Sequence, residues 1–573
     1  MKNAQKYLPH LINAVPNKGY GNRLSMYLIA LEAWRRGLVI KFFLKDNPEN
    51  KLLIRYSISN GENEYEFESS LGEKLTPYAY EVCQNKDETK KVLKAAGISV
   101  PEGQRFTSNI QNEEIINYAC NLGFPLVIKP ISENAGKGVF SNIKSEEEFK
   151  ESLQYVRNEL NYDDIIVEKH VEGIEHRIFL VDGKVIAATN RVPANIIGDG
   201  IHSINQLIEL KNKSKQLNPT ISSKPIEKDK EVTDSIRALG YDYSCIPLED
   251  ELIYLRTKSN VSAGGDAIDV TDELGYEWKR MAEDAMNTIE GLNVCGLDMI
   301  IDKESNQAAI IEINTKPMLG LHAFPVEGEP RDVISPIIDS YFPETKEKTK
   351  SILYFDFDAV LAPLRDRSVT QLELEPPPQY SSLCMNKYIL SGTFQENFQK
   401  ELRLLALEKQ LHGYLNEIDE NQYELVLAHE DEQIIVSFLD EIQRENLFFD
   451  TEIEKQDFFQ PIKLGFETYK ITGNRKRLQS QREIIRELNK ELTTQKRKVK
   501  NYKKEIVADR RQNSKMGQRI RSLEKETNKK AKRIDKLMQK NVELKEEYQK
   551  LLDSNSWKFT KPIRTVERVF KKK

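Results

Sequence analysis

Cysteine is scarce in this chain: Cys83, Cys120, Cys245, Cys295 and Cys384 are the five in 573 residues, and no two form a CxxC pair. That excludes a disulfide-stapled scaffold, argues against a structural zinc site and fits reduced thiols in a cytoplasm. Long apolar runs are missing too. No stretch reaches 18 residues and the first residues hold no apolar h-region, so neither a spanning helix nor a secretory signal is expected. There is no GxSxG elbow and the seven histidines are scattered, which leaves no obvious side-chain nucleophile. The GxxxxGK[ST] of a P-loop and the GxGxxG of a dinucleotide fold are also absent.

What is present is length and an uneven charge. A chain of 573 residues exceeds one hydrophobic core and predicts three or four units. Residues 470–573 hold 34 Lys and Arg against 13 Asp and Glu, a balance of +21; with −5 for the whole chain, the first 469 residues carry −26. An acidic body with a basic interaction tail is the expected organisation.

Near the middle, Gly296-Leu297-Asp298 is followed fourteen residues after the aspartate by Glu312-Ile313-Asn314. Both groups adjoin short apolar runs, so two neighbouring strands would aim Asp298, Glu312 and Asn314 at one point. Three oxygen ligands suit a hard cation such as Mg²⁺, with Mn²⁺ as an alternative. Upstream, Leu126-Val127-Ile128-Lys129-Pro130 reads as a buried strand ending in one basic group. Asn134-Ala135-Gly136-Lys137-Gly138 is small and flexible enough for backbone amides to approach phosphate oxygens, though such a loop is also an ordinary turn. Ile165 to Val171 is a strand with a polar end, and Glu175 follows it.

From about Lys86 to Phe342 the chain resembles the ATP-grasp carboxylate–amine ligases, in particular cyanophycin synthetases and the glutathione-synthetase half of bifunctional glutathione enzymes. The resemblance rests on Arg191-Val192-Pro193-Ala194-Asn195, Gly198-Asp199-Gly200-Ile201-His202, Leu255-Arg256 and Asn260 to Asp266. Asp269-Val270-Thr271-Asp272, Cys295 to Asp298 and Glu312 to Asn314 complete it in the family's order. It implies that Lys86 and Lys129 hold the α- and β-phosphates of ATP, and that Asn134, Gly136, Lys137 and Gly138 close over the β- and γ-phosphates. Glu168 with the backbone of Lys169 to Val171 would meet the adenine edge, Glu175 the ribose, and Asp298, Glu312 and Asn314 the magnesium. Arg177, Arg191 and Arg256 would neutralise charge at the transferring phosphoryl group. The implied reaction joins a small-molecule acid to an amine through an acyl phosphate, with amino-acid addition to a peptide or cell-surface polymer as one form. A non-catalytic nucleotide-binding scaffold is the alternative. The Mur-ligase-like half of cyanophycin synthetases has no counterpart, since no GTDGKT-type loop occurs after residue 342. The glutamate–cysteine ligase half of the glutathione enzymes is absent as well.

The expected fold class is therefore α+β: an ATP-grasp fold, then a small ferredoxin-like (acylphosphatase-like) α/β domain and a long coiled-coil helix. Residues 1–85 form an amino-terminal α/β lobe, with an amphipathic helix over Gly21 to Leu38 that presents Leu24, Leu28, Leu31 and Trp34 on one side. Bifunctional glutathione enzymes show a similar lead-in, here Ser25, Leu28, Ala30-Leu31 and Gly37. The ATP-grasp domain covers 86–345. Residues 346–385 read as a linker; Phe355-Asp356-Phe357-Asp358 resembles the DxD strand of haloacid-dehalogenase phosphatases, but that fold needs far more chain. Residues 386–468 resemble acylphosphatase domains, with Lys400 in the arginine slot and Glu417, or Asn416 one register away, in the asparagine slot. Loss of the anion loop makes a binding or packing module the expectation.

Over 475–552, heptads place Leu478, Ile485, Leu492, Val499, Ile506, Asn513, Ile520, Thr527, Ile534, Asn541 and Tyr548 at a, with Leu537 and Leu544 among the d residues. A parallel homodimeric coiled coil is expected. Residues 553–573 resemble the SWKxTxPLR tail of bacterial surface-glycan enzymes and form a basic amphipathic segment suited to the inner face of a membrane. Nucleic acid is not an expected partner, because no aromatics interleave the basic residues of the coil.

Overall fold

In the computed structural model, the structure describes residues 7–45, 53–130, 138–256, 259–378, 383–419, 421–444, 448–469 and 517–553. Two compact units emerge, one built from residues 1–381 with 460–462 and one from 382–459 with 463–573.

In the first unit, the amino-terminal helix Leu24–Arg35 is buried on every side rather than amphipathic. Its charges are compensated locally. Arg36 pairs with Glu32 at 2.8 Å and Asp339 at 2.5 Å, while Arg35 donates to the carbonyls of Leu353 and His10. The apolar side packs on a five-stranded sheet ordered Gln371–Leu374, Val39–Lys45, Leu53–Ser59, Glu64–Glu68, Leu71–Gly72. The first strand of that order comes from the stretch read as a linker. Residues 353–374 return to the lobe because their aromatics complete its core: Phe355 and Phe357 meet Tyr27 and Phe42, and Trp34 Nε1 donates to Glu375 O at 2.6 Å. The DxD sequence is a helix start, with Asp356 accepting from the amides of Asp358 and Ala359.

Two further sheets follow. Gly103–Phe106, Ile165–Lys169, Leu126–Pro130 and Phe140–Ile143 form a four-stranded antiparallel sheet. Its core includes Ile115, Ala119, Phe149 and Leu153 from the covering helices. Asp266–Asp269, Lys184–Val192, Ile174–Val181, Val294–Asp302 and Gln307–Asn314 form the second, also antiparallel. Strand alternation divides this sheet into two chemistries. Ile178, Leu180, Ala188, Leu297 and Met299 face an apolar core with helices Pro77–Gln84 and Tyr276–Thr288. The residues between them, Arg177, Thr189, Gly296 and Asp298, face the other way. Between Lys184–Val192 and Asp266–Asp269 the chain builds a small subdomain that the sequence reading did not separate. Helices Ile204–Lys215 and Lys230–Ala238 and the paired strands Asn195–Ile197 and Leu252–Tyr254 share their own core, which includes Ile208, Val232, Ile236 and Ile253.

The second unit contains a β-α-β-β-α-β arrangement. Its strands run Phe448–Asp457, Cys384–Phe394, Gln422–His429, His412–Asp419, Phe466–Tyr469 in sheet order, with helices Phe398–Glu408 and Glu432–Arg444 packed on one face. Lys400, the expected anion-binding slot, is exposed, whereas Gln399 beside it is buried and donates to Glu417 and Tyr423. The helix Gly517–Asp553 covers the last part of the expected coil. Three successive a residues, Thr527, Ile534 and Asn541, are buried within a single chain. The earlier heptads, and the basic tail from residue 554, lie outside the described residues. Among the described residues no helix is long and apolar enough to cross a membrane.

Candidate active site

The polar face of the second sheet carries the candidate centre. Backbone register aligns Thr189 with Arg177, Arg177 with Asp298, and Asp298 with Glu312, so one row across four strands holds alternating hydroxyl, cation and carboxylates. Asn314 stands opposite Gly296, and its Nδ2 lies 3.5 Å from Asp298 Oδ2. The three expected metal ligands are thus neighbours. Arg177 donates to both oxygens of Asp298, and Arg191 reaches Asp298 at 3.2 Å and Glu175 at 2.7 Å. Gly296 permits the arginine to lie across the strand, because a Cβ there would come within 3.0 Å of Arg177 Nη1 and of Pro317.

Low solvation governs the charges here. Burial pushes the Asp298 carboxyl up to about 6, against the pull of Arg191 and Lys86. It pushes Glu175 up to about 7, where Arg191 opposes the rise and Asp298 adds to it. Burial also works against the Arg191 cation, but the Asp298 and Glu175 carboxylates outweigh it and hold that guanidinium firmly charged. An oxygen-only donor set beside two fixed guanidiniums fits a divalent cation that would share Asp298 with the arginines. Among the described residues no group of three or more His, Cys, Asp or Glu gathers as a metal site, and the candidate set here is two carboxylates with an amide.

The four-stranded sheet supplies the phosphate-binding candidates. Lys129, at the end of its strand, lies 2.9 Å from Glu168. Lys90, which the sequence reading missed, contacts the same carboxylate. Burial lowers the Lys129 amine well below the ordinary lysine range, reinforced by the charges of Lys90 and Lys86; Lys90 is pushed down to about 8, chiefly by burial. Lys86 acts electrostatically on both lysines and on Asp298, and Glu312 acts on Lys129, which brings the polar ends of the two sheets into one field. The signal for Lys90 was available: it follows Lys86 by four residues, one turn along helix Lys86–Ala95.

Several expected residues stand differently. Glu168, assigned to the adenine edge, is engaged by Lys129 and Lys90. The Lys169 ammonium donates to the carbonyls of Leu122 and Gly123 at the end of helix Asn112–Leu122, and its backbone amide donates to Glu102. The His170 amide donates to Pro125, so of the expected adenine-facing stretch only Val171 keeps an amide that neither of these contacts uses. Arg256 makes its hydrogen bonds to Asp229 and Glu231, each at 2.6 Å, within the inserted subdomain. Gly138 has φ +70°, a left-handed turn that glycine adopts readily; Asn134, Gly136 and Lys137 lie outside the described residues. A second residue missed from sequence is His322. It is buried against Phe179 on the site face, neither ring nitrogen is hydrogen-bonded among the described residues, and burial, aided by Arg191, pushes it down to about 3.

Residues 83–202 match the family model of the RimK-like ATP-grasp domain. A glutathione biosynthesis bifunctional protein GshAB from Listeria innocua is 35% identical over 329 residues, covering 56% of this chain and 41% of that protein. A cyanophycin synthetase from Trichormus variabilis is 32% identical over 339 residues, covering 57% of this chain and 36% of the relative. The chain therefore spans less than half the length of these curated relatives. The crystal structure of a bifunctional glutathione synthetase from Pasteurella multocida aligns with a TM-score of 0.40 at 29% identity, over 51% of this chain and 40% of that one. Residues 83–202 thus match a RimK-like ATP-grasp domain, in a chain similar over more than half its length to bifunctional glutathione biosynthesis proteins and cyanophycin synthetases.

Proposed function

We propose that this chain is an ATP-dependent carboxylate–amine ligase. The observation that carries the reading is the convergence of Asp298, Glu312 and Asn314 beside Arg177 and Arg191, within electrostatic reach of Lys86. A carboxylate is a poor electrophile; transfer of the γ-phosphoryl group of ATP makes it an acyl phosphate with a good leaving group. Attack by an amine gives a tetrahedral oxyanion, and phosphate departs to leave the amide. Lys86 and Lys129 would orient the nucleotide phosphates as point charges. Arg191 and Arg177 would offset negative charge as it shifts during transfer. Asp298, Glu312 and Asn314 would hold Mg²⁺, which when bound would neutralise phosphate charge. No side-chain nucleophile is required, because positioning and charge compensation suffice.

The relatives' names concern glutathione and cyanophycin, products built by joining amino acids, and we infer an amino acid or peptide as one substrate. A cell-surface polymer as acceptor, a homodimer and a membrane-touching tail are further parts of this proposal, and rest on the carboxy-terminal sequence. Five free thiols support a reducing, cytoplasmic setting. A non-catalytic scaffold is not favoured, since Lys129, Asp298, Glu312 and Asn314 are all present. The test is phosphate release from MgATP with a panel of amino acids and short peptides. Release that needs a particular acid–amine pair supports the ligase. Nucleotide binding without release under any pair supports the scaffold.

A further inference from the structure

Glu168 receives two ammonium groups, from Lys129 at 2.9 Å and from Lys90. All three side chains are nearly out of solvent, at 3% exposure for Glu168, 9% for Lys129 and 14% for Lys90. Lys86, one turn before Lys90 on the same helix, adds a third positive charge that both lysines feel. Among the described residues, Asp87 acts on Lys90, and Glu312 acts on Lys129 while standing opposite Asp298. Two ammonium groups, one buried and one half-buried, converge on the same carboxylate, and withdrawing cations from water is expensive unless each is paired. A permanent salt bridge would be balanced with one lysine. A second lysine on the same carboxylate is what a site for a polyanion requires.

We propose that Lys90 is a third phosphate-binding lysine, which rests on Glu168 without nucleotide and passes its hydrogen bonds to phosphate oxygens when nucleotide enters. This rests on reading the cleft as a nucleotide site. Phosphates bring several negative charges into a weakly solvated place, and a lysine follows them easily because its ammonium sits on a flexible stem. Lys90 differs from Lys86 and Lys129 in that neither the chain's motifs nor its resemblance assigned it a role.

The experiment is equilibrium binding of MgATP, MgADP and adenosine to the full chain, to Lys90→Met and to Lys90→Arg. Loss of at least tenfold for ATP and ADP in the methionine variant, with adenosine within twofold of the unmutated chain and most affinity restored by arginine, supports the role. Unchanged ATP and ADP affinity in Lys90→Met overturns it. Equal loss of all three ligands also overturns it, marking a bridge that only holds the helix in place. If Lys90→Met does not fold, the arginine variant decides: its guanidinium keeps the charge, so a tenfold loss of ATP affinity in a folded Lys90→Arg contradicts a phosphate contact made by charge. An unmutated chain that binds none of the three ligands overturns the nucleotide reading itself and this role with it.

Discussion

Arg177 closes two parallel hydrogen bonds on Asp298 from the adjacent strand, Nε to Oδ1 at 2.5 Å and Nη2 to Oδ2 at 2.9 Å. The fork geometry fixes the carboxylate in plane, and Arg191 adds a third donor at 3.2 Å. Replacing Arg177 by Met leaves a buried carboxylate answered by Arg191, the charge of Lys86 and the Asn314 amide. Breaking a buried pair in this way typically costs about 3–5 kcal/mol, and the remaining arginine places the expected loss at the lower end. Urea unfolding of the variant measures it, and Arg177→Lys should recover part of the loss.

Asp298→Asn keeps the size of the side chain and removes its charge. Phosphate release should fall by at least about a hundredfold, the scale of a lost transition-state electrostatic contact. Chelation of divalent ions should stop release in the unmutated chain, and added Mg²⁺ or Mn²⁺ should restore it. Steady-state phosphate assays across metal concentration check both outcomes.

Glu175 gives stability a definite pH sign. Its carboxyl is raised from 4.5 to about 7, with burial the largest cause. Between those values the folded chain holds a proton that the unfolded chain has released. The stability this group contributes is present in full below 4.5 and lost as pH rises through 7. In Glu175→Gln the decline between pH 5 and pH 8 should be shallower, as read from urea midpoints at each pH.

His322 acts in the opposite sense. Its ring is lowered from 6.5 to about 3, so below 6.5 the unfolded chain takes up a proton that the folded chain refuses. Stability therefore falls as pH drops, by about 1.4 kcal/mol per pH unit once well below 6.5. His322→Phe should lose that part of the acid-side slope in the same unfolding series.

The site was legible to the extent that it lay on strands. Asp298, Glu312 and Asn314 could be placed together because alternation and adjacency fix which side chains share a face, whereas Arg177 was indicated only by the family resemblance. Lys90 and His322 escaped because their meaning depends on what surrounds them: a shared carboxylate for one, an absence of partners for the other. Arg256 carried a motif position, yet its contacts are to Asp229 and Glu231, neighbours supplied by an inserted helix whose packing no local pattern announces. The return of residues 353–374 to the first lobe was hidden for a similar reason. Phe355 and Phe357 advertise apolar character but not the distant Tyr27 and Phe42 that they meet. Heptad spacing likewise located a seam through Thr527, Ile534 and Asn541, while the burial of that seam within one chain was not encoded in the spacing.

Transfer of oxygen from the acid to phosphate tests the central claim most directly. When the acid substrate carries ¹⁸O in both carboxylate positions, an acyl phosphate route leaves one labelled oxygen in each phosphate released and one in the amide. Mass spectrometry of the phosphate after turnover with MgATP should find that single label, and Asp298→Asn should show almost no labelled product. Phosphate without label, or release of AMP and pyrophosphate in its place, would contradict the account.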